Sequence, residues 1–274
     1  MSTKFERPAV QTWIEKKLGC NDLSQWSTYS GHLASYKITP TDLTALKGAL
    51  ISDSGSYLIK GMLSLFDAIE SVNREKYSWA IVKQYYSIFY LNRASLGTKN
   101  YALIRNKNWF LLKLGEGEGP NLKSGKKYRN DHDAVISTYI DLYETSDYLQ
   151  SNTVEGVNSY KWLAERRNQV NYHQAGFTDP NVPLFIEGWE KLRKTRSIKQ
   201  ILDTYKQDGD VRIFQPEHAW IAIPLLRAQN ALRDFVQAKM TINIPASQLR
   251  LLLDVLEGKD FLNESDLLAV FRPC

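Results

Sequence analysis

The sequence predicts an all-α protein: a four-helix bundle core with an N-terminal extension and an additional C-terminal helical region. Three observations predict it. Four apolar stripes at helical spacing follow one another between about residues 55 and 176. Gly- and Pro-rich punctuation falls between the stripes and not inside them. Helical periodicity then restarts after Pro180 and Pro183. The 274 residues suffice for one large core or for a domain with a substantial appendage. The balance of 43% hydrophobic to 24% charged residues is that of a globular chain and excludes wholesale disorder.

Residues 1–54 hold Trp13, Trp26 and several turn-forming residues, and read as an extension packed on the bundle. Residues 55–176 read as the bundle itself. Leu58, Met62, Leu65, Ile69 and Val72 step by 4, 3, 4 and 3, one stripe down a first helix. Trp79, Val82, Tyr86 and Phe89 begin a second. There Ile81, Tyr85, Ile88 and Leu91 add another apolar face, so this helix is expected to be the most buried, and Gly97 closes it. The run Gly115-Glu116-Gly117-Glu118-Gly119-Pro120, followed by Lys123, Lys126, Lys127 and Arg129, favours neither helix nor strand. Residues 113–130 are therefore expected to form a long, mobile, basic loop. Val135, Tyr139, Leu142 and Leu149 mark a third helix, entered through Asn130-Asp131-His132-Asp133, whose short acceptor side chains suit an N-cap. The fourth runs from about Val157 to His173 and stops before Gly176. In residues 177–274 candidate helices cover about 184–207, 217–240, 246–257 and 264–270, with a short strand at Val211–Phe214.

Thirty-five basic against 30 acidic residues leave a net charge of +5, which permits an anionic partner without demanding one. Two cysteines, Cys20 and Cys274, supply neither a disulfide framework nor a Cys-rich zinc site. The opening Met1–Pro8 carries no apolar run of a secretory signal, and the longest apolar stretch, around Ala219–Leu226, is far short of a membrane span. The expectation is a soluble protein of a reducing, cytoplasmic compartment, with no membrane contact.

Several candidate sites fail on their spacing. Gly119 and Gly125 are separated by five residues where a phosphate loop needs four, and Lys127 stands where Ser or Thr is required. Asp131-His132-Asp133 offers metal-type ligands, but adjacent residues at a helix start splay apart and no second cluster completes a site, so capping is the reading and no metal or cofactor is expected. Arg212 and His218 repeat the loose pattern Arg-x(4–6)-His, which chance alone supplies about 0.6 times in this composition. The segment Arg167-Asn168-Gln169-Val170-Asn171-Tyr172-His173 is tighter: Arg-Asn followed at this distance by His has a chance expectation of about 0.01. Tyr160, Leu163, Arg167, Val170 and His173 step by 3, 4, 3 and 3, which places Arg and His on the core-facing stripe. Two readings stand on the motif alone. Arg167 and His173 converge on a bound phosphate, or Arg167 pairs with a Glu and His173 is an ordinary helix-end histidine near the C-terminal dipole.

This segment resembles the motif of the HEPN superfamily, the all-helical domain of many bacterial toxins, CRISPR effectors and anti-phage ribonucleases. Ala80-Ile81-Val82-Lys83-Gln84-Tyr85-Tyr86-Ser87-Ile88-Phe89-Tyr90-Leu91-Asn92-Arg93-Ala94-Ser95-Leu96 is similar to the family's aromatic second helix. The order of four helices agrees, over roughly residues 55–176. Members paired with a nucleotidyltransferase antitoxin carry Tyr two positions after the motif His; here that position is Ala175.

The resemblance implies a metal-independent endoribonuclease, a toxin or phage-defence effector, working without a cofactor. Arg167, Asn168 and His173 are its implied catalytic residues. Arg166, Lys123, Lys126, Lys127 and Arg129 are auxiliary contacts to RNA, with the run Lys191, Arg193, Lys194, Arg196 and Lys199 as a further backbone contact. A homodimer facing two motifs across one cleft is implied, and an antitoxin or defence-system protein as partner. A catalytically silent HEPN module binding nucleic acid or nucleotide, and a structural helical adaptor, are the alternatives.

Overall fold

The computed structural model describes residues 7–173, 179–181, 183, 186–207, 212–256 and 264–273. Among these, eleven α-helices and seven short strands make a mostly helical protein. None of these helices is long and apolar enough to cross a membrane.

An N-terminal layer comes first. It holds α1 (Ala9–Lys17), a 3-10 segment over Leu23–Tyr29, and α2 (Ser30–Ser35). Then α3 (Pro40–Asn73) begins at a capping box in which Thr39 and Asp42 satisfy each other's backbone N–H groups, with Pro40 as first residue. It runs unbroken through residues 54 and 55, so the expected boundary between extension and bundle falls inside a helix. The physical reason is that its stripe continues upstream: Leu46 and Leu50 face the N-terminal layer, while Leu58, Met62, Leu65, Ile69 and Val72 face the bundle.

The second long helix, α4 (Tyr77–Thr98), lies at the centre and packs on α3 closely enough that two glycines are required. A Cβ at Gly61 would come 2.7 Å from the Leu91 side chain, and one at Gly97 would overlap the Ser54 hydroxyl. Ile81, Val82, Tyr85, Ile88, Phe89 and Leu91 are buried as its doubled stripe predicts, but Trp79 at the start of the stripe is 53% exposed and Tyr86 is half-buried.

A hairpin follows, β1 (Tyr101–Arg105) and β2 (Trp109–Lys113), to which β3 (Asn121–Lys123) adds antiparallel. The segment 113–130 is thus partly ordered: β3 pairs with β2, and Lys126–Tyr128 forms a 3-10 turn packed on the next helix. The β1–β2 hairpin is buried on both faces, whereas β3 is largely exposed. Leu103, Trp109 and Leu111 enter the bundle core, whereas Ala102, Ile104, Phe110 and Leu112 enter the N-terminal core with Val10, Ile14, Trp26 and Leu33.

The bundle is completed by α5 (Asp131–Tyr143), the short pair β4 (Thr153–Val154) and β5 (Val157–Asn158), and α6 (Ser159–Asn168). Asp147, between α5 and α6, accepts hydrogen bonds from the hydroxyls of Tyr139 and Tyr160 and so ties the two helices together. From α6 the chain continues as one π turn, Gln169–His173. Gly176 and Ala175 lie outside the described residues.

After Pro183 come α7 (Gly188–Thr195) and α8 (Ile198–Gln207), two helices where one was expected, because Arg196 is extended between them. The expected strand at 211–214 is a 3-10 turn over Arg212–Phe214, with Val211 outside the described residues. Pro216 opens α9 (Pro216–Gln237), a position where its missing N–H costs nothing. The chain closes with β6 (Ile242–Ile244), α10 (Ala246–Leu256), α11 (Glu264–Val270) and β7 (Phe271–Pro273), which runs parallel to β6.

Residues of α9 share one apolar core with α3–α6, so the region after 177 is fused to the bundle. The join carries a buried charge. Arg227 of α9, 1% exposed, reaches Asp234 at 2.9 Å, Asn92 at 2.9 Å and the Ser95 hydroxyl, with Tyr139 under its guanidinium. A buried guanidinium is tolerated because a carboxylate, two polar side chains and an aromatic face surround it.

Candidate functional site

The π turn alters the motif. Its i→i+5 bonding is wider than the α repeat, so positions after Asn168 leave the helical projection that placed Arg167 and His173 on one inward stripe. Arg167 and Val170 are half-buried, and His173 is exposed.

Arg167 lies against α4. Its Nη2 donates to the Tyr86 hydroxyl at 3.1 Å and its Nη1 to Asn168 Oδ1 at 2.8 Å. The guanidinium sits 5.1 Å from the Tyr85 ring, 5.5 Å from Tyr86 and 5.5 Å from Tyr172. Among the described residues no carboxylate pairs with it, and its buried Nε has no acceptor. The adjacent Arg166 behaves oppositely: it is within 3.9 Å of both Glu155 and Glu165 and stacks 5.3 Å over Trp162. Glu165 of this helix and Glu155 of the β4–β5 turn are therefore taken by Arg166, while among the described residues Arg167 meets neutral acceptors and aromatic faces.

On the other side of Asn168 an open hollow of about 410 Å³ is lined by Glu165, Arg166, Asn168, Gln169 and His173. Asn168 belongs to both environments. Among the described residues no hydrogen bond joins Arg167 directly to His173; Asn168 bonds Arg167 and lines the hollow with His173.

The reading of His132 as part of a cap changes. Capping at α5 is performed by Asn130, whose side chain accepts from the Asp133 N–H at 2.9 Å. The His132 side chain turns back onto α4, where Nδ1 lies 2.8 Å from the Tyr85 hydroxyl and the ring packs 4.7 Å from Phe89 and 5.7 Å from Tyr86. Burial, then the Arg167 charge, lowers its affinity for a proton; Asp131 and Asp133 oppose this. Burial raises the Tyr85 phenol well above its ordinary range, against the pull of Arg167. From Tyr86 the rings continue along α4: Tyr90 stacks at 6.2 Å, Tyr57 stacks on Tyr90 at 6.4 Å, and Arg93 covers Tyr57 at 4.4 Å.

Tyr85, Tyr86 and His132 are thus brought to the motif by tertiary packing, 81 residues separating Tyr86 from Arg167. The one local signal was the doubled tyrosine. Other candidates lie elsewhere. Lys127 pairs with Asp141 at 2.7 Å, nine residues or ~13 Å along α5 from His132. Lys123 is on β3, and Lys126 and Arg129 are exposed around the 3-10 turn. Arg193 is engaged by Glu75 at 2.8 Å. His218 is buried with Nδ1 2.8 Å from the Tyr205 hydroxyl, a packing role.

Among the described residues no three His, Cys, Asp or Glu side chains gather as a ligand set. Compared with protein-family models, curated proteins and solved structures, the chain matches none.

Proposed function

We propose that this chain is a metal-independent endoribonuclease of the HEPN type, a toxin or phage-defence effector acting on cytoplasmic RNA. One observation carries the reading: among the described residues Arg167 is held on Tyr86 and Asn168 without a carboxylate partner, a cation oriented by neutral groups and left for an anion. A guanidinium so placed can hold two non-bridging phosphate oxygens and stabilise the charge that builds up as the 2′-hydroxyl attacks phosphorus. His173, exposed in the adjoining hollow, is in a position to exchange a proton with the ribose or the 5′ leaving oxygen. Asn168, bonded to Arg167 and lining that hollow, orients one relative to the other. A homodimer bringing two motifs to one cleft, and an antitoxin or defence partner, belong to the same proposal.

Cleavage of single-stranded RNA should survive EDTA, leave a 2′,3′-cyclic phosphate, and stop when the scissile 2′-hydroxyl is replaced by hydrogen. Arg167→Ala and His173→Ala should each reduce it at least ~100-fold. Activity lost in EDTA, or a wild-type rate in either variant, would overturn the assignment. That no hydrogen bond joins Arg167 to His173 among the described residues favours a second reading, a module that binds RNA without cleaving it. Retained RNA affinity with no products in any condition would establish that instead.

A further inference from the structure

We infer that His132 is a second substrate-facing imidazole of this site, the general base that takes the 2′-hydroxyl proton while His173 donates to the departing 5′-oxygen. This rests on the ribonuclease reading and deepens it.

The chemistry asks for two groups. The 2′-oxygen–phosphorus bond forms as the phosphorus–5′-oxygen bond breaks, so one proton must be taken and another given in the same step. A single imidazole cannot do both; the dimer of the proposed function would bring a second motif, whereas His132 supplies the second group beside Arg167 within one chain. His132 enters neutral and leaves protonated; His173 enters protonated and leaves neutral; exchange with water resets the pair, and no further reactant is needed.

Position supports the assignment. His132 and Arg167 share two side chains: Tyr85 bonds the imidazole through its hydroxyl and meets the guanidinium with its ring, and Tyr86 contacts both. A phosphate held by Arg167 would lie beside the two tyrosines that also hold His132. With Nδ1 against the Tyr85 hydroxyl, Nε2 is the nitrogen left to meet a substrate. In the tautomer carrying hydrogen on Nδ1, Nε2 is free to accept, and the resulting imidazolium keeps its bond to the Tyr85 oxygen. Helix capping does not account for His132, since Asn130 does that.

The groups facing it set its protonation. Burial first, then Arg167 of α6 and the N-terminal end of α5, disfavour the imidazolium, while Asp131 and Asp133 on its own helix favour it; burial keeps the facing Tyr85 of α4 a phenol. The balance holds His132 in its base form below ordinary imidazole pH values.

The test is single-turnover cleavage of an end-labelled, mixed-sequence single-stranded RNA against pH, with folding followed by helicity and Tm. Wild type should give a bell whose acid limb lies below ~6.5. His132→Gln keeps a hydrogen-bonding group for Tyr85 but cannot titrate; it should lose at least ~100-fold and lose the acid limb. Imidazole added to His132→Ala should restore part of the rate, which a purely structural histidine would not show. A His132→Gln protein cleaving at the wild-type rate with its acid limb intact overturns the inference. Arg167→Ala or His173→Ala proteins that still cleave overturn the underlying reading instead. Binding of a 2′-deoxy-substituted oligonucleotide should shift the imidazole NMR signals of both His132 and His173. A shift at His173 alone defeats the role of His132, and a shift at neither defeats both proposals.

Discussion

Arg167 and Tyr86, 81 residues apart, are joined by a 3.1 Å hydrogen bond from guanidinium to phenol, so the motif and the aromatic helix form one unit. Tyr86 is the acceptor that fixes the angle of the cation without neutralising it.

Tyr86→Phe should therefore keep the ring contact and lose the bond. Cleavage should fall about tenfold, the worth of one hydrogen bond to a charged group at ~1.5 kcal/mol, with little change in Tm. Single-turnover rates for wild type and variant decide it; an unchanged rate would mean that Tyr86 does not set the geometry of Arg167.

His218→Ala separates the decoy from the motif. The Tyr205 hydroxyl would lose its buried partner, at a cost of about 1–3 kcal/mol in urea unfolding, while cleavage per folded molecule should stay at the wild-type level. A dead but folded His218→Ala protein would place chemistry at α9.

Acid should weaken the start of α3. The Lys17 ammonium at 2.8 Å, with Thr39 and Tyr36, outweighs burial and holds the Asp42 carboxyl down to about 2. Because the folded value lies below the unfolded one of ~3.9, this stabilisation is complete above pH ~4 and is lost as pH falls through 2. Unfolding free energies of wild type and Asp42→Asn should differ at pH 6 and converge toward pH 2; a constant difference would mean that the carboxylate charge contributes nothing.

A chain beginning at residue 55 should fail to fold. It lacks Val10, Ile14, Trp26, Leu33, Leu46 and Leu50, which cover Ala102, Ile104, Phe110 and Leu112 of the hairpin. The uncovered sheet face should drive aggregation, seen as loss of soluble protein and of cooperative melting. A soluble, cooperatively melting 55–274 protein would show that the second core is dispensable.

The helices were legible where one face meets a core and the other meets solvent, as in the stripe from Leu58 to Val72. The hairpin was not, for a physical reason: with Leu103 and Leu111 in one core and Ala102, Ile104, Phe110 and Leu112 in the other, the strands show a continuous apolar run and no period of two. The start of α3 does carry a readable signal, Thr39-Pro40 followed by Asp42, which marks the helix 15 residues ahead of residue 55. Within the site, Arg167, Asn168 and His173 could be picked out by their spacing. His132 could not, because its partner Tyr85 is 47 residues away and its local context is that of a cap.

The π turn at Gln169–His173 has a consequence for how such motifs vary. An α-helix that absorbs one extra residue relaxes into a turn of this kind, so residue count and angular position become separable. Six steps from Arg167 to His173 cover the arc that five would cover in an uninterrupted helix. An insertion or deletion within 169–172 can then lengthen or shorten the motif while its two ends keep their bearings. A search by fixed spacing would discard chains that preserve the angle and change only the number.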